Sequence, residues 1–264
     1  GVKFDKDKNI LVTLPPIGKL IFGPAMKIKF FTIPNLLTLS NLLCGSVAAV
    51  AALVWGNLTL AFGLMILAAV FDFFDGFVAR LLNQSSPIGL QLDSLADDIT
   101  FGFLPAAVMY VLYQRMPGVW LPEGNIGLFV FVFTAFAALR LAKFNIDDTQ
   151  RSEFCGLPSP AAAMLCVSLG LLAECYGLTL HREVVLAVAV VVGLLMISNV
   201  RMFALKFHGF GWKGNGLRYT FILVSAVMAV VLRGYAVPLV IVLYILISLF
   251  RGLACRANGC GKAE

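Results

Sequence analysis

Apolar residues fill this chain in blocks of about 20, the length at which a helix crosses the hydrocarbon core of a bilayer, and short polar or Gly/Pro-bearing stretches separate the blocks. Eight blocks stand out, and they predict helices near residues 34–55, 58–80, 89–113, 124–143, 158–176, 183–200, 218–232 and 237–250. The first 25 residues break the pattern. GVKFDKDKNILVTLPPIGKLIFGPA alternates weakly like strand and turn, with no continuous apolar core and small-residue cleavage site of the signal-peptide kind. Met26-Lys27-Ile28-Lys29 looks like a start just before the first block, so residues 1–25 are read as a cytoplasmic extension or the remnant of an expression fusion. Residues 26–251 then form a transmembrane domain, and residues 252–264 a cytoplasmic tail.

Composition extends that reading to the whole chain. Of 264 residues, 60% are apolar and only 13% charged, which lies far from the balance of a soluble domain. The fold class expected is all-α, a polytopic helical bundle in the membrane. Loops on the side of the amino terminus hold Arg80, Arg140, Lys143, Arg151, Arg201, Lys206, Lys213 and Arg218, whereas the opposite loops hold Arg115, Arg182 and Arg233. That asymmetry puts both termini in the cytoplasm, and Lys27, Lys29, Arg251, Arg256 and Lys262 agree with it. The net charge of +6 is accounted for by attraction to anionic lipid headgroups and calls for no nucleic acid. Six cysteines (Cys44, Cys155, Cys166, Cys175, Cys255 and Cys260) show no CxxC pairing and read as small buried hydrophobes. His181 and His208 are too isolated for a histidine metal site.

One polar interruption carries chemistry: FDFFDGFVARLLNQSSPIGLQLDSLADD, residues 71–98. Carboxylates are costly in hydrocarbon and usually serve ions, protons or catalysis there. Asp72, Asp75, Gly76 and Ala79 fall at i, i+3, i+4 and i+7, one stripe of the second helix with neighbouring carboxylates about 5–6 Å apart. Gly89, Asp93 and Asp97 follow at i+4 steps along one face of the third, and a turn at Ser85-Ser86-Pro87 makes the two helices antiparallel neighbours. Four carboxylates so close cannot all stay ionised without positive charge between them. Arg80 is the one nearby base, so simple ion pairing does not account for them. Two hard divalent cations, Mg²⁺ or Mn²⁺, suit an all-oxygen site of this kind. Gly76 and Ala79 clear a notch on the same stripe, which Arg80 closes with a planar fork suited to phosphate. Asp98 lies about 100° around the helix from Asp97 and is expected to face elsewhere.

The run Asp72-x-x-Asp75-Gly76-x-x-Ala79-Arg80, eight residues, then Gly89-x-x-x-Asp93-x-x-x-Asp97 resembles in full the signature of the CDP-alcohol phosphotransferase family. The resemblance implies a six-helix family core, here with two further helices, a homodimer, and a site open to the cytoplasm of an inner membrane. It implies that Asp72, Asp75, Asp93 and Asp97 hold two divalent ions. Gly76, Ala79, Arg80 and Gly89 would contact a CDP-linked donor, and Asp97 would also be the base that takes the acceptor's proton. Three further segments, IPNLLTLSNLLCG at 33–45, LRLAKFN at 139–145 and FCGLPSPAAA at 154–163, look like family members that move the phosphatidyl group of CDP-diacylglycerol to L-serine with release of CMP. Other acceptors within the family remain open: glycerol 3-phosphate, inositol phosphate or a phospholipid.

Those segments have a physical reading too. Arg140 and Lys143, at i and i+3 near the level of the aspartates, could bind a serine carboxylate or a lipid phosphate, or could merely snorkel to anchor the helix. Asn35, Thr38 and Asn41 polarise one side of the first helix, for ligand contact or for hydrogen bonds between helices. Gly156-Leu157-Pro158-Ser159-Pro160 shapes the loop entering the fifth helix. The last three helices carry few polar residues and say little about chemistry. A divalent-cation transporter is the rival from another class, but no polar residues continue from the acids across the bilayer.

Overall fold

The computed structural model describes residues 2–5, 10–13, 31–84, 86–122, 124–146, 154–202 and 215–257. It divides into the units Gly1–Thr32 and Ile33–Glu264. In the first, β1 (Val2–Asp5) and β2 (Ile10–Thr13) pair antiparallel with Val2 opposite Thr13, in keeping with the strand-and-turn alternation there. Met26, Lys27 and Lys29 lie outside the described residues, as do Arg151, Lys206, His208, Lys213, Cys260 and Lys262.

The second unit is helical. Its elements are α1 (Ile33–Leu53), α2 (Leu58–Leu81), α3 (Pro87–Asp97), a π-helical turn (Asp98–Phe103) and α4 (Leu104–Arg115). A 3₁₀ turn (Asn125–Phe131) leads into α5 (Val132–Ile146), followed by α6 (Ser159–Tyr176) and α7 (Arg182–Ile197). Then come α8 (Gly216–Leu232), a 3₁₀ turn (Arg233–Tyr235) and α9 (Ala236–Ala257). Two-residue strands β3 (Phe154–Cys155) and β4 (Arg201–Met202) pair between α5 and α6 and beyond α7.

Six helical runs among the described residues are long and apolar enough to cross a membrane, where eight were expected: Ile33–Leu53, Leu58–Leu81, Pro87–Arg115, Asn125–Ile146, Ser159–Tyr176 and Gly216–Arg251. Two causes reduce the count. Helix α7 has 16 residues and stops at Ile197, three short of the expected end, where the Ser198 N–H turns back to Leu195 O and the chain passes into β4. The last run joins α8 and α9, which pack on each other because the backbone leaves the helical region at Arg233, with φ at +49°.

The buried face of α1 explains how the helices approach. Asn35, Thr38, Asn41, Gly45, Ala48 and Ala52 recur at three- and four-residue steps and are buried, while Leu36, Leu43, Val47 and Val50 are exposed. Small and polar side chains face the protein and large apolar ones face outward, the arrangement expected where lipid is the solvent and close backbone packing holds helices together. Helix α4 is the central post: Leu104, Val108, Met109, Leu112 and Tyr113 are fully buried, and α1, α6 and α7 pack around it. Since α3 and the π turn lead directly into α4, the acids of α3 sit on the same helical run as this buried post.

Candidate active site

The site forms where α2 ends and α3 begins. Helix α2 closes with the Leu82 N–H on Val78 O and Arg80 O, and Asn83 takes a left-handed φ of +50°, which Asn tolerates. Ser86 caps α3 by accepting the Gly89 N–H at 3.1 Å, and Pro87 follows in the first turn, where its missing N–H costs nothing. The expected break between the two helices at Ser86-Pro87 is present; Ser85 lies outside the described residues. A short, capped connection brings the two acid-bearing stripes face to face.

Asp72, Asp75 and Asp93 each offer a carboxylate oxygen within 4.8 Å of the others. Asp97 stands one turn further along α3, within electrostatic reach of Asp72 and Asp93. Donors from α1 hold the group: Thr38 Oγ1 donates to Asp75 Oδ2 at 2.6 Å, and Asn41 Nδ2 donates to Asp97 Oδ1 at 3.3 Å. Asp75 is 5% exposed, and the other three are half-buried. Three carboxylates within 4.8 Å of one another, buried or half-buried, repel one another strongly. All-oxygen donors at this separation fit a hard divalent cation, which would remove that repulsion.

Beside the acids lies a cavity of about 200 Å³. Asp75, Gly76, Ala79, Arg80, Gly89 and Asp93 line it, and so do Pro34, Asn35 and Thr38 from α1 and Gln84 and Ser86 from the turn. The two glycines differ in kind. A Cβ on Gly89 would lie 3.1 Å from Ser86 Oγ and 3.2 Å from Asn35 Oδ1, so this glycine lets α3 approach α1. A Cβ on Gly76 would meet nothing nearer than Arg80 Nη1 at 3.8 Å. The protein's own packing does not require glycine at 76, and the space above it is free for a ligand.

The basic pair on α5 separates. Arg140 Nη1 donates to the buried Ser159 Oγ at 2.8 Å and lies within electrostatic reach of Asp97 and of Tyr244 on α9. Lys143 is exposed and donates to Asn199 Oδ1 at 3.3 Å. Thr38 and Asn41 of the polar stripe on α1 make bonds between helices, whereas Asn35 lines the cavity. The Asp98 carboxylate lies beside Gly102, where a Cβ would come 2.7 Å from its Oδ1. Sequence reasoning passed over Ser159 as a partner and Tyr244 altogether; a lone tyrosine in the mainly apolar final helix was the available signal. The loop 156–160 does shape the entry to α6, with Pro158 at its N-cap.

Comparison with known proteins places this geometry. The CDP-diacylglycerol–serine O-phosphatidyltransferase of Helicobacter pylori strain 26695 is 37% identical over 180 residues, covering 65% of this chain and 71% of its own. The enzyme of that name from Methanocaldococcus jannaschii is 35% identical over 174 residues, 66% of this chain and 74% of its own. That from Bacillus subtilis strain 168 is 32% identical over 178 residues, 67% of this chain and 92% of its own. Residues 31–195, which include the acids, the cavity and Arg140, match the CDP-alcohol phosphatidyltransferase family, and the chain belongs to that family.

Proposed function

We propose that this chain transfers the phosphatidyl group of CDP-diacylglycerol to the hydroxyl of L-serine and releases CMP. The observation that carries the reading is the open space above Gly76, directly beside the acid cluster and Arg80. A family of CDP-alcohol phosphatidyltransferases and relatives named for serine transfer support the donor and the acceptor.

In this reading Asp72, Asp75, Asp93 and Asp97 hold two divalent ions, Mg²⁺ or Mn²⁺. Bound ions supply charge neutralisation at the pyrophosphate and at the departing CMP. The nucleotide lies over Gly76 and Ala79, with Gly89 keeping the neighbouring helix close and Arg80 donating to phosphate. Arg140, braced by Ser159, takes the serine carboxylate, and Lys143 offers a second positive charge further along α5. Asp97 accepts the proton of the serine hydroxyl as its oxygen attacks the phosphorus bearing diacylglycerol, and the bond to the CMP oxygen breaks. A carboxylate is a weak base for an alcohol, so proton transfer accompanies the attack.

The same reading places the chain as a homodimer in the inner membrane with eight crossings, the α8–α9 hairpin supplying two and α7 one. Both termini and the site face the cytoplasm. Residues 1–25 are an extension or an expression remnant, 26–251 the catalytic domain and 252–264 a tail. The test supplies CDP-diacylglycerol with labelled serine, glycerol 3-phosphate or inositol phosphate in turn. Serine label should enter lipid with equal release of CMP; label entering from another acceptor instead of serine would contradict the proposal.

A further inference from the structure

Asp97 is held from behind by hydrogen bonds that end on its own helix run. The Thr100 hydroxyl donates to Asn41 Oδ1 at 2.8 Å, and Asn41 Nδ2 donates to Asp97 Oδ1. Asn41 and Thr100 are both 0% exposed, so the bond between them is shielded from water and the one to Asp97 partly so, and in such surroundings linked hydrogen bonds reinforce one another. Chemistry sets their direction. An ionised carboxylate only accepts, so Asn41 must turn its NH₂ towards Asp97; its carbonyl oxygen is then left facing Thr100, where a hydroxyl can donate. Remove the hydroxyl, and that buried oxygen loses a donor while the amide loses its reason to keep this orientation.

Two features of the backbone bring Thr100 to Asn41. Pro105 has no N–H for the carbonyl of Phe101 and crowds it, and the preceding turn widens to the π form, closing with the Leu104 N–H on Ile99 O. Across from this turn stands Gly45 of α1. A Cβ there would collide with Thr100 Oγ1 and sit 3.0 Å from Thr100 Cα, so only hydrogen fits.

We propose that Asn41 and Thr100 are positioning residues for the transfer, pinning Oδ1 of Asp97 so that its other oxygen is aimed at the acceptor hydroxyl. Neither touches substrate; Thr100 acts through Asn41, and Asn41 through Asp97. The inference rests on the reading of Asp97 as the base.

The test measures turnover of CDP-diacylglycerol and serine, with thermal unfolding, for full-length Thr100→Val, Thr100→Ser, Asn41→Leu and Asp97→Asn variants. Loss of the neutral bond to Asn41 should lower kcat about tenfold in Thr100→Val, and loss of that bond together with the one to Asp97 about a hundredfold in Asn41→Leu, with KM for both substrates within about twofold. Thr100→Ser, which keeps the hydroxyl, should restore kcat to within about twofold of the parent. A parental kcat in Thr100→Val overturns the proposal, and so does a fall that Thr100→Ser fails to reverse, which marks a packing role. If Asn41→Leu does not fold, the two Thr100 variants decide alone. Substantial turnover in Asp97→Asn would sink the reading of the base; an inactive Asp97→Asn beside an unimpaired Thr100→Val would sink only the positioning role.

Discussion

Charge is used to opposite effect at the two ends of this bundle. Where α2 meets α3, Asp72, Asp75 and Asp93 gather like charges, Thr38 supplies a neutral donor to Asp75, and Asn41 supplies one to Asp97. Where α4 ends and α7 begins, Arg182 donates to Met116 O at 3.2 and 2.9 Å and stands 5.7 Å from the Tyr113 ring centroid. Its neighbour Glu183 accepts the N–H groups of Val119, Trp120 and Leu121 on one oxygen, at 2.8, 2.8 and 3.0 Å. The second cluster joins opposite charges to backbone groups that a loop between helices would otherwise leave unpaired, and so it stabilises the fold. The first costs the fold free energy until something positive arrives. In a chain so poor in charge, the difference separates a working site from a structural clasp.

Mutation should split the two ends cleanly. The largest effect is expected for Asp72→Asn and Asp93→Asn, which should each cut turnover by about a thousandfold or more, the scale on which catalytic electrostatics acts. In the absence of divalent ions the same variants should unfold at an equal or higher temperature than the parent, because like charges have been removed. Losing both turnover and stability would make the acids structural and erase the contrast. A smaller effect is expected at the clasp. Arg182→Ala removes hydrogen bonds from a charged donor, worth about 1.5–3 kcal/mol each, and should lower the unfolding temperature by several degrees. Turnover per folded molecule should stay within about twofold, and a large loss of kcat in well-folded Arg182→Ala would show that the far end takes part in the chemistry.

How much of this is legible in the sequence differs from element to element. The acid stripes are, because helical periodicity converts spacing directly into a shared face, and α2 and α3 carry Asp72, Asp75, Gly76, Asp93 and Asp97 as that period demands. The partners of α1 are not. Thr38 and Asn41 can be seen as polar positions, yet their bonds to Asp75, Asp97 and Thr100 span 37, 56 and 59 residues and depend on how α1 packs. The π turn leaves no mark on hydrophobic periodicity, and Pro105 was its one local signal. Tyr244 hides for another reason: lipid-facing and protein-facing residues of α9 are both mainly apolar, so sequence pattern does not say which side lies towards Arg140. The end of α7 is set by the pairing of β3 with β4, a contact outside the helix itself.

Whether the acids form a cation site can be read without turnover, from the unfolding temperature as Mn²⁺ is titrated into metal-stripped protein. A cation that binds only the folded state must raise that temperature with concentration. The parent should be stabilised, and Asp93→Asn should respond far more weakly at the same concentrations. Equal Mn²⁺ responses in the parent and in Asp93→Asn, or none in the parent, would contradict the account.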